Sequence, residues 1–380
     1  MLFSEGEIDL LSLLKWCQFA PRSDVLSAMP ESVVNTLVLT GFIQTSGIAD
    51  AFVLTAKGSR ALDEADTGKF PSITQSYHTN SIERRLRLAR LMLTAYRAGV
   101  NVFTTEASEL ISAPSLFLSA LARGRGSDPW GSTRVGALIH LPGIVAAMHY
   151  VSPGIGKISL VDEIGVLVNQ TAAIKDVDRA FFFAGTSYTD ILKELGAGVV
   201  STGKLITYGE ACRTSPYPIF LLSCNETGAK QLRLMSVPKY REWFTRATLR
   251  SEFRPPPADV PDWDALFRGA PFVMAADMDL RRIDRACAKA RKNGYDSVSM
   301  AALEPQAKEV LYPRYVDTGM AKVFVWTPET EAALFGEQLK LYSIGTAPYR
   351  NAKGAYAYAP IIEANRKSGR PAGTKARKLV

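Results

Sequence analysis

The chain has 380 residues, 47% of them hydrophobic and 22% charged, with a formal net charge of +8. These proportions are typical of globular proteins and exclude a largely disordered chain, and the length predicts two or three domains. Four cysteines without a C-x-x-C pair exclude a disulfide scaffold and favour a cytoplasmic location. No signal peptide is predicted, because acidic residues lie in the first ten positions, where a basic region would be expected. No membrane span is predicted, because the most apolar run, 135–151, is broken by Pro142 and Gly143.

Residues 1–68 are predicted to form a winged helix-turn-helix. Helices are expected after Ser4, Ser23 and Pro30, then a strand–turn–strand over 42–58 and a further helix over 59–66. In this motif the third helix enters the major groove of DNA. The predicted DNA-contacting residues are Ser32, Asn35 and Thr36 on the third helix, with Lys57 and Arg60 beside the wing.

The third predicted helix contains no Lys or Arg. Phosphate contacts dominate the affinity of most DNA-binding proteins and require cations. The alternative interpretation is therefore a winged helix used for protein contacts, including the formation of a homodimer.

Residues 69–133 are predicted to be a linker followed by an arginine-rich helical connector over 81–99 and a Gly-rich loop at 123–132. Residues 134–345 are predicted to form a mixed α/β domain, because short apolar runs are followed by helical patterns. A Pro-rich segment at 254–264 suggests a sub-boundary, and no internal repeat is evident. The expected strands are 134–140, 158–161, 180–185, 218–224, 271–276 and 321–326, and the expected helices are 186–195 and 279–294.

Motifs for cofactors and zinc are incomplete in this sequence. Residues 198–205 match G-x-x-x-x-G-K, but Leu205 occupies the position at which a phosphate loop has a hydroxyl residue, so no cofactor is predicted. His78, His140 and His149 lack the spacing of a zinc site, and no metal site is predicted. We expect His140 and His149 to be core residues.

A metal-dependent nuclease is the enzymatic alternative. Many such enzymes use a (D/E)-x-K motif, but no Asp or Glu here has a Lys two positions later. A divergent nuclease would have to use other carboxylates. The candidates are Asp162, Glu163, Asp277 and Asp279, the last two of which are equally suited to begin a helix.

Residues 346–380 are predicted to be a disordered basic tail. Gly369-Arg370-Pro371 matches the centre of an AT-hook, which places an arginine in the narrow minor groove of A·T-rich DNA. Ser368 and Ala372 depart from that motif, so general attraction to phosphates is the other interpretation. Residues 366–380 hold six of the eight net charges, on Arg366, Lys367, Arg370, Lys375, Arg377 and Lys378.

The order of these parts resembles the replication-relaxation proteins of bacterial plasmids and integrative conjugative elements. The resemblance is carried by FVLTAKGSRAL (52–62), by residues 77–92, and by residues 132–140 followed by 159–167. It implies a DNA-binding accessory protein of plasmid replication or conjugative transfer, with double-stranded DNA and other proteins of the element as partners. It also implies a nuclease-like α/β domain, which here would be degenerate and non-catalytic because the (D/E)-x-K motif is absent.

Overall fold

Helices and strands form a mixed α/β architecture in the computed structural model, which describes residues 3–66, 79–123, 130–152, 157–197, 204–335, 346–350 and 356–360. No helix among these residues is long and apolar enough to span a membrane. The architecture comprises an N-terminal unit and two lobes, each lobe built on its own sheet.

The N-terminal unit contains four helices and a small antiparallel sheet in the order β1-β3-β2. Its first helix begins with a capping box, in which the Ser4 hydroxyl accepts from the Glu7 amide and the Glu7 carboxylate accepts from the Ser4 amide. The second helix begins one residue before Ser23, because Pro21, paired with Ala51, is the last extended residue. The elements are α1 (Glu5–Cys17), β1 (Ala20–Pro21), α2 (Arg22–Ala28), α3 (Glu31–Leu39), β2 (Ile43–Thr45), β3 (Ala51–Leu54) and α4 (Ala56–Asp66).

Helix α5 (Thr79–Arg97) joins this unit to the rest of the protein. It contacts α1, α2 and β1 on one side and the first large sheet on the other. Arg90 donates from Nε to Asp24 of α2 at 3.2 Å and from Nη1 to Tyr150 of the sheet at 3.3 Å. One continuous hydrophobic core therefore runs from α1 through α5 into both lobes.

The first lobe is a six-stranded mixed sheet in the order β11-β9-β7-β6-β5-β4. The prediction of a strand at 158–161 is wrong beyond Ile158, because α6 begins at Leu160. The first turn of α6 holds Asp162 and Glu163, whose negative charges are favourable at the N-terminus of a helix. The strands are β4 (Asn101–Thr104), β5 (Ser115–Leu118), β6 (Ala137–Leu141), β7 (Ile144–Tyr150), β8 (Lys157–Ile158), β9 (Asp178–Gly185), β10 (Ile206–Thr207) and β11 (Ile219–Ser223), with β8 and β10 paired separately. The helices are α6 (Leu160–Gln170), α7 (Tyr188–Gly196), α8 (Tyr208–Thr214) and α9 (Glu226–Met235).

The second lobe is a five-stranded sheet in the order β12-β13-β14-β15-β16. A helix at 328–335 follows its last strand. The elements are α10 (Tyr240–Leu249), β12 (Phe253–Arg254), β13 (Ala265–Phe267), β14 (Ala270–Met274), α11 (Leu280–Lys292), β15 (Val298–Ala302), α12 (Glu304–Gln306), a π-helical segment (Ala307–Val316) and β16 (Ala321–Val325).

The two lobes repeat one topology. In each lobe three antiparallel strands lead into two parallel strands added through helical crossovers, so β5-β6-β7-β9-β11 corresponds to β12-β13-β14-β15-β16. The helix after the last strand begins at a polar cap in both lobes, Asn225 in the first and Thr327 in the second. A repeat that was not evident in the sequence is therefore present in the backbone.

A buried polar network joins the lobes. Gln231 of α9 donates to the carbonyls of Leu221 and Asp277, both at 2.8 Å, and accepts from the Tyr188 hydroxyl at 2.6 Å. Gln306 of the second lobe donates to Tyr188 at 3.1 Å. Tyr188, Gln231 and Gln306 are fully buried, so these bonds fix the two sheets relative to each other.

A short hairpin lies within the segment predicted to be a disordered tail. Strands β17 (Thr346–Arg350) and β18 (Tyr356–Pro360) pair antiparallel. The six predicted tail cations lie outside the described residues.

Replacing Gln231 with Leu is expected to lower the free energy of unfolding by about 3 kcal/mol, because buried carbonyls and a buried hydroxyl lose partners. Urea titration measures this change. The control Gln44→Leu alters an exposed amide on β2 and is expected to change stability by less than about 0.5 kcal/mol. Equal effects of the two substitutions would contradict the structural role of Gln231.

Candidate functional site

The three residues predicted to contact DNA from α3 share one solvent-exposed face. Ser32, Asn35 and Thr36 are exposed, while Val34 and Leu37 are buried against the rest of the unit. The Thr36 hydroxyl donates to the Ser32 carbonyl at 2.8 Å and keeps its acceptor capacity. This face can therefore offer an amide and two hydroxyl groups to a ligand.

Apolar side chains border this face. Leu39 is 87% exposed and Val38 is 41% exposed, both near the end of α3. The exposed surface of α3 therefore carries both polar and apolar side chains.

The predicted cations beside the wing differ in their surroundings. Lys57 is exposed, but its ammonium group donates to the Thr40 carbonyl at 2.7 Å and lies 5.0 Å from the centre of the Phe42 ring. It thus satisfies a carbonyl at the end of α3, where a cation is favoured. Arg60 is exposed on α4.

The N-terminal unit is acidic as a whole. Residues 1–66 contain four Lys or Arg and nine Asp or Glu, a formal charge of 4 − 9 = −5. This imbalance is visible in the sequence of the segment itself. Cations that bind phosphate near α3 must come mainly from outside this segment.

The first pair of candidate nuclease carboxylates lies at the start of α6. The Asp162 carboxylate lies 2.7 Å from the ammonium group of Lys204. Side-chain hydrogen bonds from Lys204 and from Ser159 lower the pKa of Asp162. Glu163 is buried, accepts from the Arg134 amide at 2.7 Å and contacts His149 Nε2 at 3.0 Å. The buried positions of His140 and His149 confirm them as core residues.

The second pair lies in the second lobe, after β14. Asp279 begins α11 by accepting from the Arg282 amide at 3.1 Å, which confirms the predicted cap. Asp277 instead accepts from Arg241 at 2.6 Å and from the Tyr240 hydroxyl at 2.9 Å. Between them Met278 adopts a left-handed conformation with φ of 59°, which is rare for a residue other than glycine.

Charge compensation governs this second pair. Burial alone would raise the pKa of Asp277, but the cations of Arg241 and Arg282 outweigh burial and lower it to about 2. Burial and the neighbouring charge of Asp277 raise the pKa of Asp279. Asp277 is thus the anion of a buried ion-pair network.

The two carboxylate pairs do not converge. They lie in different lobes, and within the described parts of the chain no three His, Cys, Asp or Glu side chains are grouped so that they could hold a metal ion. The segment that matches G-x-x-x-x-G-K, 198–205, falls largely outside the described residues, and its Lys204 pairs with Asp162.

A cleft of about 550 Å³ opens between the lobes beside this network. That volume lies in the range of small-molecule sites. Two of its cations are already paired with acids, Arg241 with Asp277 and Arg246 with Glu242 at 3.0 Å. Its walls include Gly143, Asp178, Arg241, Arg246, Phe253 and Trp263.

Comparison of the chain with protein-family models, with curated proteins and with solved structures finds no match.

Replacing Asp277 with Asn is expected to lower the free energy of unfolding at pH 7 by about 3–5 kcal/mol, because two arginines lose their shared anion. Since the folded-state pKa of Asp277 lies below the ordinary value, its ionised form stabilises the fold above about pH 4, and this contribution is lost as the pH falls towards 2. The difference in the free energy of unfolding between wild type and variant should therefore decrease by about 2 kcal/mol between pH 4 and pH 2.

Urea titrations at successive pH values measure this difference. Asp262→Asn, which removes a partner of the exposed Arg285, serves as control and should change stability by less than about 1 kcal/mol. A difference for Asp277→Asn that is independent of pH between 4 and 2 would contradict the assigned ion pairs.

Proposed function

We propose that the protein binds double-stranded DNA and that residues 1–68 act as a winged helix-turn-helix. The main support is the exposed face of α3 that carries Ser32, Asn35 and Thr36. Helix α3 is the third helix of a unit ordered α1-β1-α2-α3-β2-β3-α4, with its sheet ordered β1-β3-β2. Asn pairs with adenine through two hydrogen bonds, and hydroxyl groups accept or donate to several bases.

In this proposal α3 provides the sequence preference and cations outside the unit provide phosphate affinity. The tail cations between Arg366 and Lys378 are one source. The α/β lobes act without catalysis, as a scaffold for the N-terminal unit. The resemblance to replication-relaxation proteins would place this binding in plasmid replication or conjugative transfer.

Asn35→Ala tests the role of α3. Selection from a random duplex library by the wild-type protein should enrich a preferred sequence. The substitution should weaken binding to that sequence by about 1–3 kcal/mol, and leave binding to random duplex unchanged, because one bidentate base contact is lost. Fluorescence anisotropy measures both affinities.

Asn169→Ala, which removes an exposed amide from α6 in the first lobe, is the matched control and should alter neither affinity. Failure of the wild-type protein to bind any duplex at low salt would refute the proposal.

A protein interface on α3 is the second candidate function. Leu39 and Val38 of α3 expose apolar surface, and the net charge of −5 on residues 1–66 opposes approach to phosphates. A nuclease receives less support, because each candidate carboxylate is engaged in a helix cap, a hydrogen bond or an ion pair, and the two carboxylate pairs lie in different lobes.

The substitution Leu39→Lys discriminates between a DNA interface and a protein interface on α3. If α3 forms a homodimer, a buried ammonium in the interface should shift the protein to monomer by at least tenfold in Kd. If α3 faces DNA, the added cation should leave the oligomeric state unchanged and strengthen binding to random duplex modestly. Sedimentation velocity and anisotropy on the same samples distinguish these results.

A further inference from the structure

The last strands of the two lobes, β11 and β16, differ in what lies along their outer edges. In the first lobe the segment after β14 covers the edge of β11, and the Leu221 amide donates to the Met278 carbonyl at 3.2 Å. In the second lobe β16 is the last strand of its sheet. Val323 of β16 corresponds to Leu221, because both precede the polar cap of the next helix by the same number of residues. The edge that is covered in one lobe is therefore open in the other, within the described residues.

The backbone of β16 presents a row of polar groups on this open edge. The Trp326 amide donates to the Ala302 carbonyl at 3.1 Å, so the even-numbered residues of the segment turn their amides and carbonyls towards β15. Ala321, Val323 and Val325 therefore point theirs away from the sheet. No residue in the described part of the chain forms a hydrogen bond with these outward groups. Such a row is a template for a further strand.

Two exposed side chains flank the centre of this edge on one face of the sheet. Lys322 is exposed, and Phe324 is 41% exposed although its ring lies 5.3 Å from that of Phe267. The two share a face because they are in register with Ser299 and Ala301 of β15. No described residue forms a hydrogen bond or an ion pair with the Lys322 ammonium. A cation and an aromatic ring are therefore available on either side of Val323.

We propose that β16 is a homodimer interface, in which the strands of two copies pair antiparallel about Val323. In this register the outward amides and carbonyls of one strand face those of the other, with Ala321 opposite the partner's Val325. Lys322 then lies opposite the partner's Phe324 in a pair without hydrogen bonds, where side chains approach most closely. An ammonium group over an aromatic ring is a favourable contact.

The strand is thus complementary to itself, as an interface with two-fold symmetry requires. The association should be weak, because β16 contains five residues and its pairing alone buries less than the about 1,200–2,000 Å² of a standard interface. We therefore expect a Kd in the micromolar range. This inference does not depend on the proposed binding of DNA.

Sedimentation equilibrium of the full-length chain, from about 1 to about 100 µM, tests the interface. Phe324→Lys sets two ammonium groups opposite each other and should raise the Kd of the dimer at least about tenfold. Adding Lys322→Glu to this variant sets opposite charges at the same positions and should restore dimerisation. Restoration is specific to a cross-strand pair, since a merely structural role of either side chain would not produce it.

Val323→Pro tests the backbone pairing. The substitution removes an outward amide that serves no hydrogen bond in the described fold, so the ladder to β15 is kept and the variant should fold as a monomer. Ile111→Lys is the matched control, because it adds a cation at a side chain that is 66% exposed in the first lobe. It should leave the Kd within about threefold of wild type.

Circular dichroism verifies that each variant is folded. A wild-type protein that stays monomeric up to about 100 µM overturns the inference and assigns Lys322 to protection of the edge. A dimer that survives Val323→Pro and is lost in Leu39→Lys also overturns it, because the interface then lies on α3. If Val323→Pro unfolds, the charge exchange decides, and failure of Lys322→Glu to rescue Phe324→Lys rejects the register.

Discussion

The arrangement of the whole molecule depends on how α5 is held. Arg90 is placed midway along the helix and bonds to Asp24 of the N-terminal unit and to Tyr150 of the first sheet. Such charge-assisted bonds are strengthened where water is partly excluded. Apolar residues on either side of Arg90 enter the common core, so the N-terminal unit is packed onto the lobes by the same helix that contacts its wing. The orientation of α3 relative to the lobes is therefore a consequence of the packing of α5.

The two lobes have the same topology and therefore the same packing requirements. Each sheet has an antiparallel half and a parallel half, and the parallel half requires helices on its faces. The outer edge of β11 would be an exposed strand edge, but the segment after β14 covers it, and the Leu221 amide donates to the Met278 carbonyl at 3.2 Å. The left-handed conformation of Met278 allows this contact while it turns Asp277 inward to the arginines. The joint between the lobes and the buried ion pairs therefore depend on the same short segment.

Local signals predicted several elements of this fold. The helix that begins after Ser4 and the strand expected over 180–185, which the structure gives as Asp178–Gly185, both follow from neighbouring residues. The error at 158–161 arose because an apolar run fits a strand or the start of a helix equally well. The repeat of the two lobes escaped detection because it is conserved in strand order and not in residue type, as Asn225 and Thr327 illustrate at corresponding caps. The exposed face of α3 was predictable from helical periodicity, whereas the bond from Lys57 to Thr40 and the contact of Ile82 with the wing depend on the tertiary fold.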